Sequence, residues 1–124
     1  MEARIIKPFN GLYPITMKYG ETPKWYMDIA KYPHNGIDFG TPDGTPILAV
    51  DDGTISYGDN VPDSDGMGVN ISHNWGLSQY WHLSQIIAKI GASCKRGELI
   101  GFSGHTGWCT GPHLHFGVKM AGVN

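Results

Sequence analysis

At 124 residues the chain has material for one ordinary hydrophobic core and a single domain. A net charge of −2 argues against the basic face of an electrostatic nucleic-acid binder, and lends no overall attraction to an anionic polymer. No run approaches the ~18 apolar residues of a membrane helix.

The 18 glycines and 8 prolines fall between short apolar runs, as turn punctuation does, rather than forming a disordered tract. The start, Met1-Glu2-Ala3-Arg4-Ile5-Ile6-Lys7-Pro8, has no signal-peptide apolar core. Residues 25–31 read as a short helix ended by Pro33, because the residue before proline disfavours helical backbone. Residues 46–50 are apolar, followed by Asp51-Asp52-Gly53 and residues 54–57, which predicts a β-hairpin. A second hairpin is predicted from the alternation in residues 69–73, the turn Asn74-Trp75-Gly76, and the alternation in residues 77–82. Residues 83–90 read as two helical turns ending near Gly91. Residues 98–102 and 113–118 complete a set of short strands joined by glycine-rich connections. The expectation is a mainly β, compact antiparallel domain spanning 1–124, with short helices and long glycine-rich loops, and without linker or internal repeat.

The chemistry concentrates in Gly111-Pro112-His113-Leu114-His115-Phe116. In an extended strand His113 and His115 share a face, roughly 6–7 Å apart. His34 and Asp38 add two more metal-binding groups, and Tyr80-Trp81-His82-Leu83 adds another histidine. Neutral imidazole and carboxylate are both good zinc ligands, and a hydrolytic site uses three with the fourth position open. His34 and Asp38 lie four apart in a stretch where Pro33, Gly36 and Gly40 disfavour a helix. Fully extended they would stand about 13 Å apart, too far for one ion, so the chain must bend between them, and Gly36 is placed to allow it. Read singly, each of these residues also fits an ordinary structural role: a surface histidine beside a turn aspartate, or a satisfied core histidine.

The ordered pattern His34-x-Gly-x-Asp38, Gly44-Thr45-Pro46-Ile47-x-Ala49-x-x-x-Gly53, Tyr80-x-His82-Leu83-Ser84, Gly101-x-Ser103-Gly104-x-Thr106-Gly107 and Thr110-Gly111-Pro112-His113-Leu114-His115-Phe116 resembles the lysostaphin/LytM-type zinc metallopeptidases. The resemblance covers about residues 15–118. It implies one zinc ion held by His34, Asp38 and His115, with His82 and His113 as catalytic histidines. It also implies a β-fold with the active site in a groove bounded by loops. The implied function is hydrolysis of peptide bonds in bacterial peptidoglycan, in cross-bridges or stem peptides, by a zinc-activated water assisted by the two histidines. The glutamate of the His-Glu-x-x-His zinc-protease helix is absent, so histidine must take the proton-transfer role. Ligand histidines must be unprotonated, so activity is expected to fail in acid. The alternative reading is a non-catalytic peptidoglycan-binding or regulatory module of the same fold; a zinc hydrolase acting on a non-wall peptide is a third.

The expected partner is the peptidoglycan peptide, with no nucleic acid, no membrane and a monomeric protein. Action on the cell wall without a leader fits a phage lysin, a virion-associated enzyme or an excised catalytic domain. His73 is expected to make structural hydrogen bonds, and His105 to lie outside the catalytic set. Trp75, Trp81, Trp108 and Tyr80 divide between core and groove wall, with Trp108 nearest the substrate. Cys94 and Cys109 read as free thiols, Cys109 as a small loop residue with a metal role left open.

Overall fold

Residues 67–83 show how alternation builds the sheet: Val69, Ile71, Ser78 and Tyr80 are buried on one face, whereas Asn70, Ser72, Gln79 and Trp81 point the other way and keep some exposure. The computed structural model describes residues 5–17, 36–59, 66–106 and 111–120. Nine strands run through them: β1 (Ile15–Met17), β2 (Ile37–Phe39), β3 (Pro46–Leu48), β4 (Gly53–Asp59), β5 (Met67–His73), β6 (Gly76–Ile86), β7 (Ser93–Cys94), β8 (Leu99–Ser103) and β9 (Leu114–Met120). All pairings are antiparallel, in the order β1-β2-β9-β6-β5-β4-β7, with β8 bridging β3 and the far end of β6. The chain is all-β among the described residues, and no helix there is long and apolar enough to cross a membrane.

The predicted hairpin of residues 69–82 is present as β5 and β6, joined through Asn74-Trp75. Two other expectations are corrected. Residues 83–90 form no helix: Leu83, Gln85 and Ile86 extend β6 and pair with Ser103, Phe102 and Gly101. A short apolar run has no period of its own, and here a distant strand claims its backbone. A Cβ on Gly101 would stand 2.5 Å from the Gln85 carbonyl, so glycine is what lets β8 come this close. Nor do residues 46–57 form a hairpin, since β3 pairs with β8 while β4 pairs with β5 and β7. The edge of residues 48–50 is taken by the N-terminal segment, through Leu48 N–H to the Pro8 carbonyl and Ile6 N–H to the Val50 carbonyl. The predicted helix at residues 25–31 lies outside the described residues.

The core gathers Ile47, Val50, Val69, Ile71, Tyr80, Leu83, Ile100 and Leu114, all fully buried. One polar chain runs through it. His73 bonds the Asp52 carbonyl and the Ser78 hydroxyl (2.7 Å each), Ser78 bonds the Tyr80 hydroxyl (2.6 Å), and Tyr80 accepts from Val50 N–H. Burial pushes the Tyr80 phenol up to about 12. His73 therefore makes the structural hydrogen bonds expected of it, and its ring stacks on Trp75 at 4.6 Å. Cys94 is a buried free thiol, and Cys109 lies outside the described residues.

Candidate active site

The register of three strands assembles one row of side chains. Asp38 on β2 pairs with His115 on β9, and His115 pairs with Trp81 on β6. Antiparallel partners share a face, so the carboxylate and imidazole meet on the side opposite Leu114 and Phe116. His115 Nδ1 stands 2.9 Å from Asp38 Oδ1, with both side chains about nine-tenths buried. His113 precedes β9 and is held by a single bridge to Gly104. Its Nε2 lies 3.5 Å from Asp38 Oδ2, so both histidines of the His-x-His pair reach the same carboxylate.

His82 arrives from β6. Its ring lies 4.6 Å from the His113 ring and 6.0 Å from the His115 ring, edge-on to both. Here β6 changes partner: Trp81 is the last residue paired with β9, and Leu83 the first paired with β8. His82 takes the break with a φ of 67°, the one positive φ of a non-glycine residue among those described. A backbone conformation this sparsely populated needs support from its surroundings, and such positions cluster at functional sites.

Backbone carbonyls fix the tautomers. His82 Nδ1 donates to the Thr106 carbonyl (2.6 Å) and His113 Nδ1 to the Gly111 carbonyl (3.0 Å). A carbonyl only accepts, so each Nδ1 carries the proton and each neutral ring keeps an Nε2 lone pair. Burial, then the neighbouring His113, holds the His82 imidazole down to about 4, so it is neutral near pH 7.

Among the described residues no group of three or more His, Cys, Asp or Glu side chains forms a complete metal site. The third ligand implied by the resemblance, His34, lies outside them. What is described fits a zinc ion nevertheless. Tetrahedral zinc with bonds of about 2.0–2.1 Å sets neighbouring donors about 3.3 Å apart, near the 2.9 Å between His115 Nδ1 and Asp38 Oδ1. Gly36, two residues after His34 in the sequence, packs on the His115 ring: a Cβ there would stand 2.8 Å from His115 Nε2 and 2.6 Å from the Phe116 carbonyl. Close approach, rather than a left-handed turn, is what Gly36 supplies; the bend expected between His34 and Asp38 lies partly outside the described residues.

The profile of peptidase family M23 matches residues 32–124. The chain belongs to peptidase family M23. It is 45% identical over 91 residues to the peptidoglycan DD-endopeptidase ShyA of Vibrio cholerae, covering 73% of this chain and 21% of that one. Its fold matches a zinc-containing peptidase from Vibrio cholerae at a TM-score of 0.80 and 35% identity, over 92% of this chain and 36% of that one. It matches the catalytic domain of lysostaphin from Staphylococcus simulans at 0.79 and 32%, over 90% of this chain and 84% of the domain. The chain spans less than a third of the curated relatives it matches first, 30% and 21% of their lengths. The lysostaphin-type resemblance read in the motifs therefore stands, and M23 membership makes the chain a peptidase by family.

Of the residues singled out in the sequence, Asp38, His82, His113 and His115 come together, while His34, Trp108 and Cys109 lie outside the described residues. His105 is exposed and bonds Asp43 at 3.0 Å, away from the cluster's hydrogen bonds. Tyr80 and Trp75 belong to the core and its margin, and Trp81 stands on the site face beside His115. The carbonyls of Thr106 and Gly111 were invisible to side-chain reasoning, because every residue carries a carbonyl and only the fold aims it.

Proposed function

We propose that the chain is a zinc-dependent endopeptidase that hydrolyses peptide bonds in bacterial peptidoglycan, in a cross-bridge or a stem peptide. The observation that supports this best is the convergence of Asp38, His113, His115 and His82, with two of the three imidazoles held by carbonyls so that Nε2 is unprotonated. His34, Asp38 and His115 would hold the ion. When bound, zinc lowers the pKa of a water towards about 7 and polarises the scissile carbonyl.

The chain's own residues do the rest. The unprotonated Nε2 of His113, beside Asp38, takes a proton from the attacking water and passes it to the leaving amine. Asp38 stabilises the imidazolium formed in between through its charge, with Oδ2 3.5 Å from Nε2. His82 resists a second proton, so it stands beside His113 as a neutral ring whose Nε2 accepts a hydrogen bond at the reacting centre. Burial of all four side chains strengthens each of these electrostatic contacts. The relatives named as a DD-endopeptidase and as lysostaphin support the wall peptide as substrate.

The test is mass spectrometry of fragments released from two peptidoglycans, one with glycine bridges and one with direct cross-links, with and without a zinc chelator. Chelator-sensitive release of new peptide ends is the expected outcome, and the new ends identify the bond. Folded, zinc-loaded protein that releases nothing from either would leave the non-catalytic module or a non-wall peptide.

A further inference from the structure

Hydrogen bonds of Thr106 gather at the place where β6 breaks. Its hydroxyl donates to the Leu83 carbonyl (2.7 Å) and accepts from Met67 N–H (3.0 Å), while its own carbonyl accepts from His82 Nδ1 (2.6 Å). Met67 and Leu83 are ladder partners, and the register of β5 against β6 slips between Met67 and Gly68, leaving His82 unpaired as a bulge. The hydroxyl thus stands between a donor of β5 and an acceptor of β6 beside the bulge, and bonds both. Room for this comes from Gly66, at φ +80°, where a Cβ would stand 2.5 Å from the Thr106 carbonyl.

We propose that Thr106 is a positioning residue for His82: its hydroxyl bridges the interrupted ladder, and this anchors the carbonyl that sets the orientation and tautomer of the His82 ring. The coupling is geometric. One residue holds the backbone on the β5 side of the bulge, the backbone after it and the ring that the bulge projects. Thr106→Val keeps the shape but leaves Met67 N–H without its acceptor and the Leu83 carbonyl without its donor, so the loop carrying the Thr106 carbonyl loses its anchor. Thr106→Ser keeps the hydroxyl.

The role in turnover rests on the endopeptidase reading above; the effect on the ring does not. Two readouts separate them. In nitrogen-15 spectra of histidine side chains, the wild-type protein shows His82 with the proton on Nδ1, Thr106→Ser retains that signature, and Thr106→Val shows a mixture of tautomers. In peptide release from peptidoglycan, Thr106→Val lowers kcat by about tenfold to a hundredfold with KM and zinc content unchanged, and Thr106→Ser restores it. His82 protonated on Nε2 in the wild type overturns the proposal whether or not Thr106→Val folds. So does a Thr106→Val protein with the wild-type tautomer and kcat. A tautomer that responds to Thr106 in a protein that cleaves no peptidoglycan upholds the positioning role and removes the endopeptidase.

Discussion

His113 and His82 sit within one contact of each other but meet different surroundings. His113 faces a carboxylate oxygen at 3.5 Å, whereas His82 is buried against another imidazole. The carboxylate sets an anion beside the ring assigned to proton transfer, whereas burial against a second imidazole opposes a charge on His82. Replacing His113 by Ala is therefore expected to leave zinc bound while cutting turnover by about 10²-fold or more. Zinc analysis and peptide-release rates check this; an unchanged rate removes His113 from the chemistry. For His82 the consequence appears in stability. Its folded pKa of about 4 lies below the ordinary 6.5, so between these values the unfolded chain binds a proton that the folded one refuses. The contribution is absent above pH 6.5, destabilises progressively as pH falls, and is complete near pH 4, at about 3 kcal/mol. Asparagine tolerates positive φ, so His82→Asn removes the titration while respecting the backbone. In urea unfolding of zinc-free protein, wild-type stability relative to this variant should rise by about 3 kcal/mol from pH 4 to 7. A difference that stays constant across that range would contradict the buried, neutral imidazole.

At the scale of elements, the contact of β2 with β9 aligns Asp38 with His115, and Gly36 sets how closely they meet. A Cβ at Gly36 would press on a backbone carbonyl as well as the imidazole, and the carbonyl has no rotamer to escape into. Gly36→Ala is expected to cost about 1–3 kcal/mol and to weaken zinc binding, as measured by thermal unfolding and metal titration. Gly111→Ala meets nothing within 4 Å and keeps the carbonyl that holds His113, so it is the neutral comparison. Equal behaviour of the two variants would show that the close approach at Gly36 is not needed. The same scale explains what could be read beforehand. The β5–β6 hairpin was legible because alternation and a two-residue turn are local signals. The extension of β6 through Ile86 and the pairing of β3 with β8 were not, since their partners are distant in sequence and a short apolar run fits strand or helix alike. Asp38, His82, His113 and His115 of the candidate site were legible as side-chain types in an ordered pattern. The break at His82 and the carbonyls that hold the rings depend on where β6 changes partner, which no spacing reveals.

For the molecule as a whole, the ion would join segments that the chain keeps far apart. Asp38 and His115 are 77 residues distant in sequence, on strands that meet only in the folded sheet. The unfolded chain holds no such preformed site, so binding free energy becomes folding free energy. At a zinc concentration about 1,000 times Kd the gain is about 4 kcal/mol, which for a domain of this size raises Tm by on the order of 10 °C. Chelation should lower the wild-type Tm by that amount, and Asp38→Ala and His115→Ala should show no zinc-dependent shift. His34→Ala should join them if the ligand set is the one proposed. His113→Ala is the discriminating case, because His113 touches the same carboxylate yet is assigned to proton transfer. A full zinc shift in His113→Ala with a collapsed rate places it beside the ion, whereas loss of the shift makes it a ligand and moves the proton-transfer role to His82.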